Sequence, residues 1–387
     1  MDGRRRVGLF MYGLSGGGVP RRVITLANAL AERGWRVDLL VVDASGDLRS
    51  RVSSQVHVTE VAGRFSRLPF IRTKRRRQFA MAVRPLARWL VREAPDLLFS
   101  ADNYANLSAV AAAEAAGNGV PVVVSQRNNT TAYAGRKPAL ISQIRGSYSK
   151  AAAIVAISQG VADDLVSLGL PAQSITTIYN PVVDQNLEEA ARQPISHPWF
   201  GDPSRPLILA AGRLGPQKDF PTLLRAFALL KERGSSARLV ILGEGKTPAA
   251  RNELRALAEG LGIGGEVDLP GFAPDAVPYI AKADLFVMSS AWEGLGNVLV
   301  EALACGVPAV STDCPSGPAE ILDGGRVGPL VPVGDADALS RAIEARLAAP
   351  RDVATLKGQA QLFTTEEAAT RYVALFERVI AARESPA

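Results

Sequence analysis

The chain is expected to be an α/β protein with two Rossmann-like domains facing a cleft. Three observations predict this. Short apolar runs alternate with segments of helical spacing along nearly all of the 387 residues, as the strands and crossover helices of parallel sheets do. The alternation stops once, in the polar, proline-rich stretch NPVVDQNLEEAARQPISHPWFGDPSRP, and then restarts. Glycine-punctuated turns follow apolar runs in both halves, where an open parallel sheet receives its ligands. The length suffices for two domains of ordinary size.

The elements follow in order. VGLFMY reads as a first strand; a glycine loop and a helix through VITLANALAERG come after it. VDLLVV is a second strand, and a basic helical region leads to the strand DLLFS. An alanine-rich helix from Ala105 to Ala116 precedes the strands PVVVS and AAAIVAIS. The first domain is placed at 1–180 and the linker at 181–206. The second domain, 207–364, opens with LILAAG and a helix near Thr222 to Arg233. RLVILGEG, a helix from Ala249 to Leu261, EVDLPG, DLFVMS, the helix in NVLVEALAC, PAVST and GPLVPV complete it. A terminal helix within 365–387 is expected to pack back on the first domain.

Composition removes several classes of function. No apolar run reaches the ~18 to 20 residues of a membrane helix. MDGRRRVGLFMYGLSGGG has a basic start, but its apolar run ends in a glycine loop without a small-residue cleavage site, so it reads as a strand rather than a signal peptide. The protein is expected in the cytoplasm, and two cysteines, Cys305 and Cys314, fit that compartment. His57 and His197 are the only histidines, which leaves little room for a histidine metal site or a serine–histidine triad. The net charge of +6 is uneven: residues 61–92 hold ten Arg or Lys and no acid. Arg72, Lys74, Arg75, Arg76 and Arg77 lie there, interleaved with apolar residues such as Phe79 and Trp89. A solvated basic face is one explanation; a patch for an anionic membrane or lipid substrate is another. Nucleic acid is disfavoured, since no binding module is recognised.

Glycines that follow a strand and open a helix can present amides to a phosphate. The first such loop is GLSGGGVPRR, with Gly17, Gly18 and the charge of Arg21. Its spacing is not the dinucleotide G-x-G-x-x-G, although Asp43 at the end of the second strand invites an NAD reading. AAGRLGPQKDF places Arg213 and Lys218 between a strand and a helix, two cations suited to a diphosphate. LPGF, ending at Phe272, could offer free backbone groups to a planar base. In AWEGLGNVLVEALACGVP, Glu293 precedes a loop with Gly294 and Gly296, and Glu301 is the one charge inside an apolar helix. Such a charge needs an ion pair or a polar ligand. Glu293 and Glu301 are at most ~12 Å apart along a helix axis, a span comparable to that between the sugar and the ribose of a nucleotide sugar.

The set GGGVPR, AISQGV, IYNPV, GRLGPQKDF, LGEG, LPGF and EGLGNVLVE followed by EALACGVPAVSTDCPSGPAEIL resembles the retaining glycosyltransferases of family 4, which have the GT-B fold. The match covers nearly the whole chain and is most specific from Leu207 to Leu322. SSAWEGLGNVLVEALACGVPAVSTDCPSGPAEIL looks especially like enzymes of lipid-linked or surface polysaccharide assembly. The resemblance implies a hexosyltransferase that moves a sugar from a nucleotide diphosphate, UDP by preference, to a saccharide or lipid-linked acceptor with retention of configuration. It implies that Glu293 holds donor-sugar hydroxyls, that the segment Gly294, Leu295, Gly296, Asn297 and Val298 caps sugar and diphosphate, and that Glu301 binds the ribose. Arg213 and Lys218 would neutralise the leaving diphosphate, and Gly17 and Gly18 would approach it. No metal or other cofactor is implied. Relatives often carry a histidine after the strand matching PVVVS; here SQRNNTT puts Arg127 in its place, as a residue for the sugar. Pro20 stands where a glutamate is common. A nucleotide-sugar epimerase on this fold and an NAD-dependent oxidoreductase are the alternatives.

Overall fold

The computed structural model describes residues 4–61, 75–134 and 138–384. The chain divides into two compact units, one made of Met1–Pro181 with Thr365–Ala387 and the other of Val182–Thr364. Arg72 and Lys74 lie outside the described residues.

The first unit is built on seven parallel strands. They are β1 (Arg6–Gly13), β2 (Arg36–Asp43), β3 (His57–Glu60), β4 (Leu97–Ala101), β5 (Val122–Gln126), β6 (Ala153–Ala156) and β7 (Ile175–Thr177), in the order β3-β2-β1-β4-β5-β6-β7. The central strands are buried on both faces, so LLFSA and VVVSQ read as near-continuous apolar runs. The principal helices are α1 (Gly18–Glu32), α2 (Arg75–Glu93), α3 (Asn103–Ala116), α4 (Pro138–Tyr148) and α5 (Gln159–Ser167). The register Gly8↔Asp38 and Gly8↔Leu98 sets β1 between β2 and β4. The order therefore reverses direction between β1 and β4, which defines the switch point of this sheet.

The second unit repeats the plan with six strands. They are β8 (Leu207–Ala211), β9 (Arg238–Leu242), β10 (Val267–Gly271), β11 (Leu285–Met288), β12 (Ala309–Thr312) and β13 (Leu330–Val331), in the order β10-β9-β8-β11-β12-β13. Its principal helices are α6 (Phe220–Glu232), α7 (Ala249–Gly260), α8 (Asn297–Ala304) and α9 (Ala336–Ala348). Here the reversal falls between β8 and β11.

Two features depart from a simple division at the proline-rich stretch. Residues 182–206, read from sequence as a linker, belong to the second unit. His197 is bonded to Asp268 at 2.9 Å, Arg205 pairs with Glu266, and Lys282 donates to the carbonyl of Gln193 at 2.7 Å. These polar contacts, with buried Val182 and Leu187 and the Phe200 ring against Tyr279 at 5.5 Å, fix a segment that lacks a continuous apolar run and so reads as a loop. The terminal helix α10 (Thr365–Glu384) packs within the first unit. Phe376 meets Trp35 and Phe99 at centroid distances of 5.9 and 5.8 Å, and Tyr372 meets Phe99 at 5.5 Å. Each buried ring of this kind contributes about 1.5–3 kcal/mol, so α10 is part of that core.

Candidate active site

At the switch point of the second sheet, the chain leaving β8 meets the chain leaving β11. After β8 comes Gly212, then exposed Arg213, then Lys218 just before α6. After β11 come Ser289, Ser290 and Glu293, then Gly296 at the N-cap of α8. Lys218 Nζ donates to Glu293 Oε1 at 2.5 Å. Ser290 Oγ donates to the same oxygen at 2.7 Å, and Gln217 Nε2 approaches the other oxygen at 3.4 Å. Glu293 is only 6% exposed. A carboxylate this buried requires its donors, and here they come from both sides of the switch point.

The backbone fixes these groups. Ala291 N–H donates to Gln217 O, Ser289 Oγ donates to Lys218 O, and Thr312 Oγ1 donates to Ser290 O at 2.6 Å. The loops after β8, β11 and β12 are thus tied together. The Lys218 stem runs over Gly212 so closely that a Cβ there would lie 2.6 Å from Lys218 Cε. A Cβ on Gly243, at the end of β9, would sit 1.8 Å from the Gly212 carbonyl oxygen. The glycine in LGEG therefore serves close approach of backbone to backbone.

Gly296 has φ 103° and turns the chain into α8, a conformation that favours glycine. The eight residues of α8 start with Asn297 and Val298, whose end of the helix carries the positive dipole. Glu301 lies on this helix, 9% exposed. Its charge, after burial, helps push the Cys305 thiol up to about 12, and burial with Glu293 does the same for Cys314. Arg213 differs from Lys218: among the described residues it makes no ion pair, so an exposed cation stands beside the buried pair. Phe272, after β10, is 61% exposed, a large ring open to solvent.

Other residues named from sequence sit in the first unit. Gly17 (φ 143°) is the N-cap of α1, Gly18 is its first residue, and Arg21 lies in its first turn. Arg127 follows β5 and donates to Asn180 Oδ1 at 2.5 Å; burial pulls its pKa below the ordinary guanidinium value. Arg75 opens α2 with its guanidinium 4.2 Å above the Tyr12 ring. Arg76 and Arg77 are exposed on the same helix. Asp43 accepts from the backbone and hydroxyl of Ser45 at 3.0 and 2.6 Å, which ties it to its own loop. Sequence reasoning missed Gln217 and Ser290, although each is a near neighbour of a residue it did name.

Comparison with known proteins shows the family and the fold. Residues 205–349 match the family model "Glycosyl transferases group 1", and residues 16–186 match "Glycosyltransferase Family 4". The chain is 32% identical over 340 residues to a phosphatidyl-myo-inositol mannosyltransferase of Mycobacterium leprae, covering 86% of this chain and 84% of that one. It is 29% identical over 360 residues to the N-acetylgalactosamine-N,N'-diacetylbacillosaminyl-diphospho-undecaprenol 4-alpha-N-acetylgalactosaminyltransferase of Campylobacter jejuni, covering 89% and 90%. The crystal structure of Anabaena HepE in complex with UDP and glucose has a similar fold, with TM-score 0.76, 20% identity and coverage of 97% and 100%. None of these relatives is an epimerase or an oxidoreductase. Two parallel Rossmann-like sheets of this order are the GT-B fold, and the chain belongs to glycosyltransferase family 4, acting as a hexosyltransferase in glycolipid or polysaccharide biosynthesis.

Proposed function

We propose that the protein transfers a sugar from a UDP-sugar to a saccharide or lipid-linked acceptor with retention of configuration. The observation that carries this reading is the buried Lys218–Glu293 pair beside exposed Arg213, at the switch point of the second sheet. Glu293 accepts hydroxyls of the donor sugar. Arg213, Lys218 and the first turn of α8 face the diphosphate, on which negative charge grows as the glycosidic bond breaks; preorganised cations and amides stabilise that charge. Glu301 takes the ribose hydroxyls and Phe272 lies against the base. UDP as the nucleotide is supported by the UDP-bound structural relative.

Retention through a covalent intermediate needs a carboxylate nucleophile at the sugar carbon. Glu293 is held by Lys218 and Ser290, which suits a hydroxyl-binding role. The acceptor oxygen instead attacks on the face from which the diphosphate leaves, and its proton passes to the departing phosphate oxygen. No metal is needed in this scheme, because fixed cations neutralise the leaving group. Chelation with EDTA is expected to leave the transfer rate unchanged.

The acceptor is proposed to be presented at an anionic membrane surface. Helix α2 exposes Arg76, Arg77, Arg84, Arg88 and Arg92, while Phe79, Leu86, Trp89 and Leu90 are buried. Among the described residues no helix is long and apolar enough to cross a membrane, and attachment by this face is proposed to be peripheral.

Thermal stabilisation of the purified chain by UDP, GDP, ADP and NAD at equal concentration tests the donor site, since a ligand of the folded state raises the midpoint by mass action. A shift with UDP that Glu301→Ala removes supports the reading. A shift with NAD alone overturns it.

A further inference from the structure

The second unit holds a cavity of about 400 Å³ away from the loops that carry Lys218 and Glu293. Its wall is formed by the segment leading into β13, by Arg346 in the last turn of α9, and by the start of the helix Val353–Ala360. Strand register places it. Pro329 directly precedes β13, and a Cβ on Gly328 would lie 2.6 Å from the carbonyl oxygen of Ala309, the first residue of β12. The loops of the proposed donor site are tied at the other end of β12, where Thr312 bonds Ser290 O. Ala309 and Thr312 bound this strand, so the two ends are about 10 Å apart at the usual rise. The cavity is within the size range of small-molecule sites, roughly 300–1,000 Å³.

Two donors on its wall lack acceptors. A guanidinium has five N–H groups, and one of those on Arg346 is accounted for: Nη1 donates to the carbonyl of Pro350 at 3.1 Å. Among the described residues Arg346 makes no ion pair, whereas its neighbour Arg351 is matched by Asp284 at 2.6 Å and Arg326 by Asp323 at 2.5 Å. Burial, and then Arg351, pulls the Arg346 guanidinium below its ordinary pKa. The fold thus partly desolvates this cation and sets a like charge near it. Gly328 is buried, and its N–H donates to no group among the described residues. A buried backbone donor without a partner is rare.

The acid on the wall is already engaged. Asp352 caps the helix Val353–Ala360, accepting from Thr355 N at 3.1 Å and from Thr355 Oγ1 at 2.7 Å. The charge that acts on Arg346 is that of Arg351, not of Asp352. Apolar residues supply much of the remaining wall: Val327 and Pro329 are half-buried, and Leu356 is buried. An apolar wall with a few convergent donors is the usual make-up of a small-molecule site, and here the donors are a cation and an amide.

We propose that this cavity is a second ligand site, for a phosphate monoester, whose phosphate takes the Arg346 guanidinium and the Gly328 N–H and whose organic part rests on Val327, Pro329 and Leu356. A phosphate monoester brings up to two negative charges and three acceptor oxygens. That is one oxygen more than a carboxylate has, enough for Arg346, the Gly328 amide and exposed Arg326 at the rim. The site stands independently of the transferase reading above.

The test titrates the full chain with glycerol 3-phosphate by calorimetry, with glycerol as the uncharged control, in the presence and absence of excess UDP. The wild type is expected to bind the phosphate and not glycerol, with the same affinity whether UDP is present or not. Arg346→Gln should keep the wild-type melting midpoint, having no ion pair to lose, and should weaken glycerol 3-phosphate roughly tenfold to a hundredfold, the loss of a charged hydrogen bond. Arg346→Lys, which keeps the charge without the planar fork, should fall between the two. If Arg346→Gln melts lower, Arg326→Gln at the exposed rim decides instead, with an expected loss of about twofold to fivefold. Co-sedimentation with phosphatidic acid vesicles runs beside the titration. Sedimentation that Arg346→Gln reduces, with no binding of glycerol 3-phosphate, places the same phosphate on a lipid headgroup. Binding of neither probe by the wild type, unchanged affinity in the deciding variant, or displacement of glycerol 3-phosphate by UDP overturns the proposal.

Discussion

Replacing Lys218 by methionine probes the centre of the proposed donor site. The side chains of Lys218 and Glu293 are 13% and 8% exposed, so solvent screens the pair little. Breaking a buried pair by removing one partner typically costs about 3–5 kcal/mol. Glu293 keeps its bond from Ser290 at 2.7 Å and the longer one from Gln217, and a hydrogen bond to a charged group is worth about 1.5–3 kcal/mol. A net loss of about 2 kcal/mol follows. For a unit of this size that is a midpoint fall of about 4–8 °C, at about 2–4 °C per kcal/mol. If UDP binds as proposed, the relevant transition is the one it shifts, because a ligand of the folded state raises the midpoint by mass action. Glu293→Gln should cost a similar amount, and the double variant should recover about 1–2 kcal/mol of the sum, because neither charge is then left alone. Transfer should fall by about 100-fold to 1,000-fold in Lys218→Met, the usual loss for one preorganised donor to a developing charge. Additivity of the two substitutions within about 0.5 kcal/mol, or transfer at the wild-type rate, would refute the role given to this pair.

Four further outcomes are expected. Arg213→Ala should weaken UDP binding severalfold, read by calorimetry, with no change in midpoint, because the guanidinium is exposed and makes no ion pair among the described residues. Gly243→Ala should destabilise the second unit by at least about 1–3 kcal/mol in urea titration, since a Cβ would lie 1.8 Å from the backbone oxygen of Gly212. Tyr148→Phe should cost about 1–3 kcal/mol by leaving Asn106 and Gln126 short of a partner in the buried core of the first unit. Replacing Arg76, Arg77, Arg84 and Arg88 together by serine should reduce co-sedimentation with anionic vesicles by orders of magnitude, at about 1 kcal/mol per charge; unchanged sedimentation would remove α2 from any membrane contact.

The parts of this protein that were legible in sequence are those where one physical signal dominates. Central strands such as LLFSA and VVVSQ are buried on both faces and read as unbroken apolar runs. Peripheral strands such as β3 and β7 have no fully buried residue; HVTE and ITT carry no such run and were not read as strands. The residues of the proposed donor site were legible as glycines and charges at strand ends. What the residues alone did not reveal was pairing. Lys218 and Glu293 are 75 positions apart, and only the crossing at the switch point shows that they neutralise each other while Arg213 does not take part. The first unit shows the limit more sharply. Nothing in SADNY distinguishes Asp102 from an ordinary capping aspartate like Asp335 or Asp352; a propensity argument would have assigned it that role. The structure shows no side-chain cap hydrogen bond there. Asp219, the N-cap of α6, behaves in the same way, with φ 43° and no side-chain cap bond, so an aspartate at a helix start does not by its type alone report whether the cap forms.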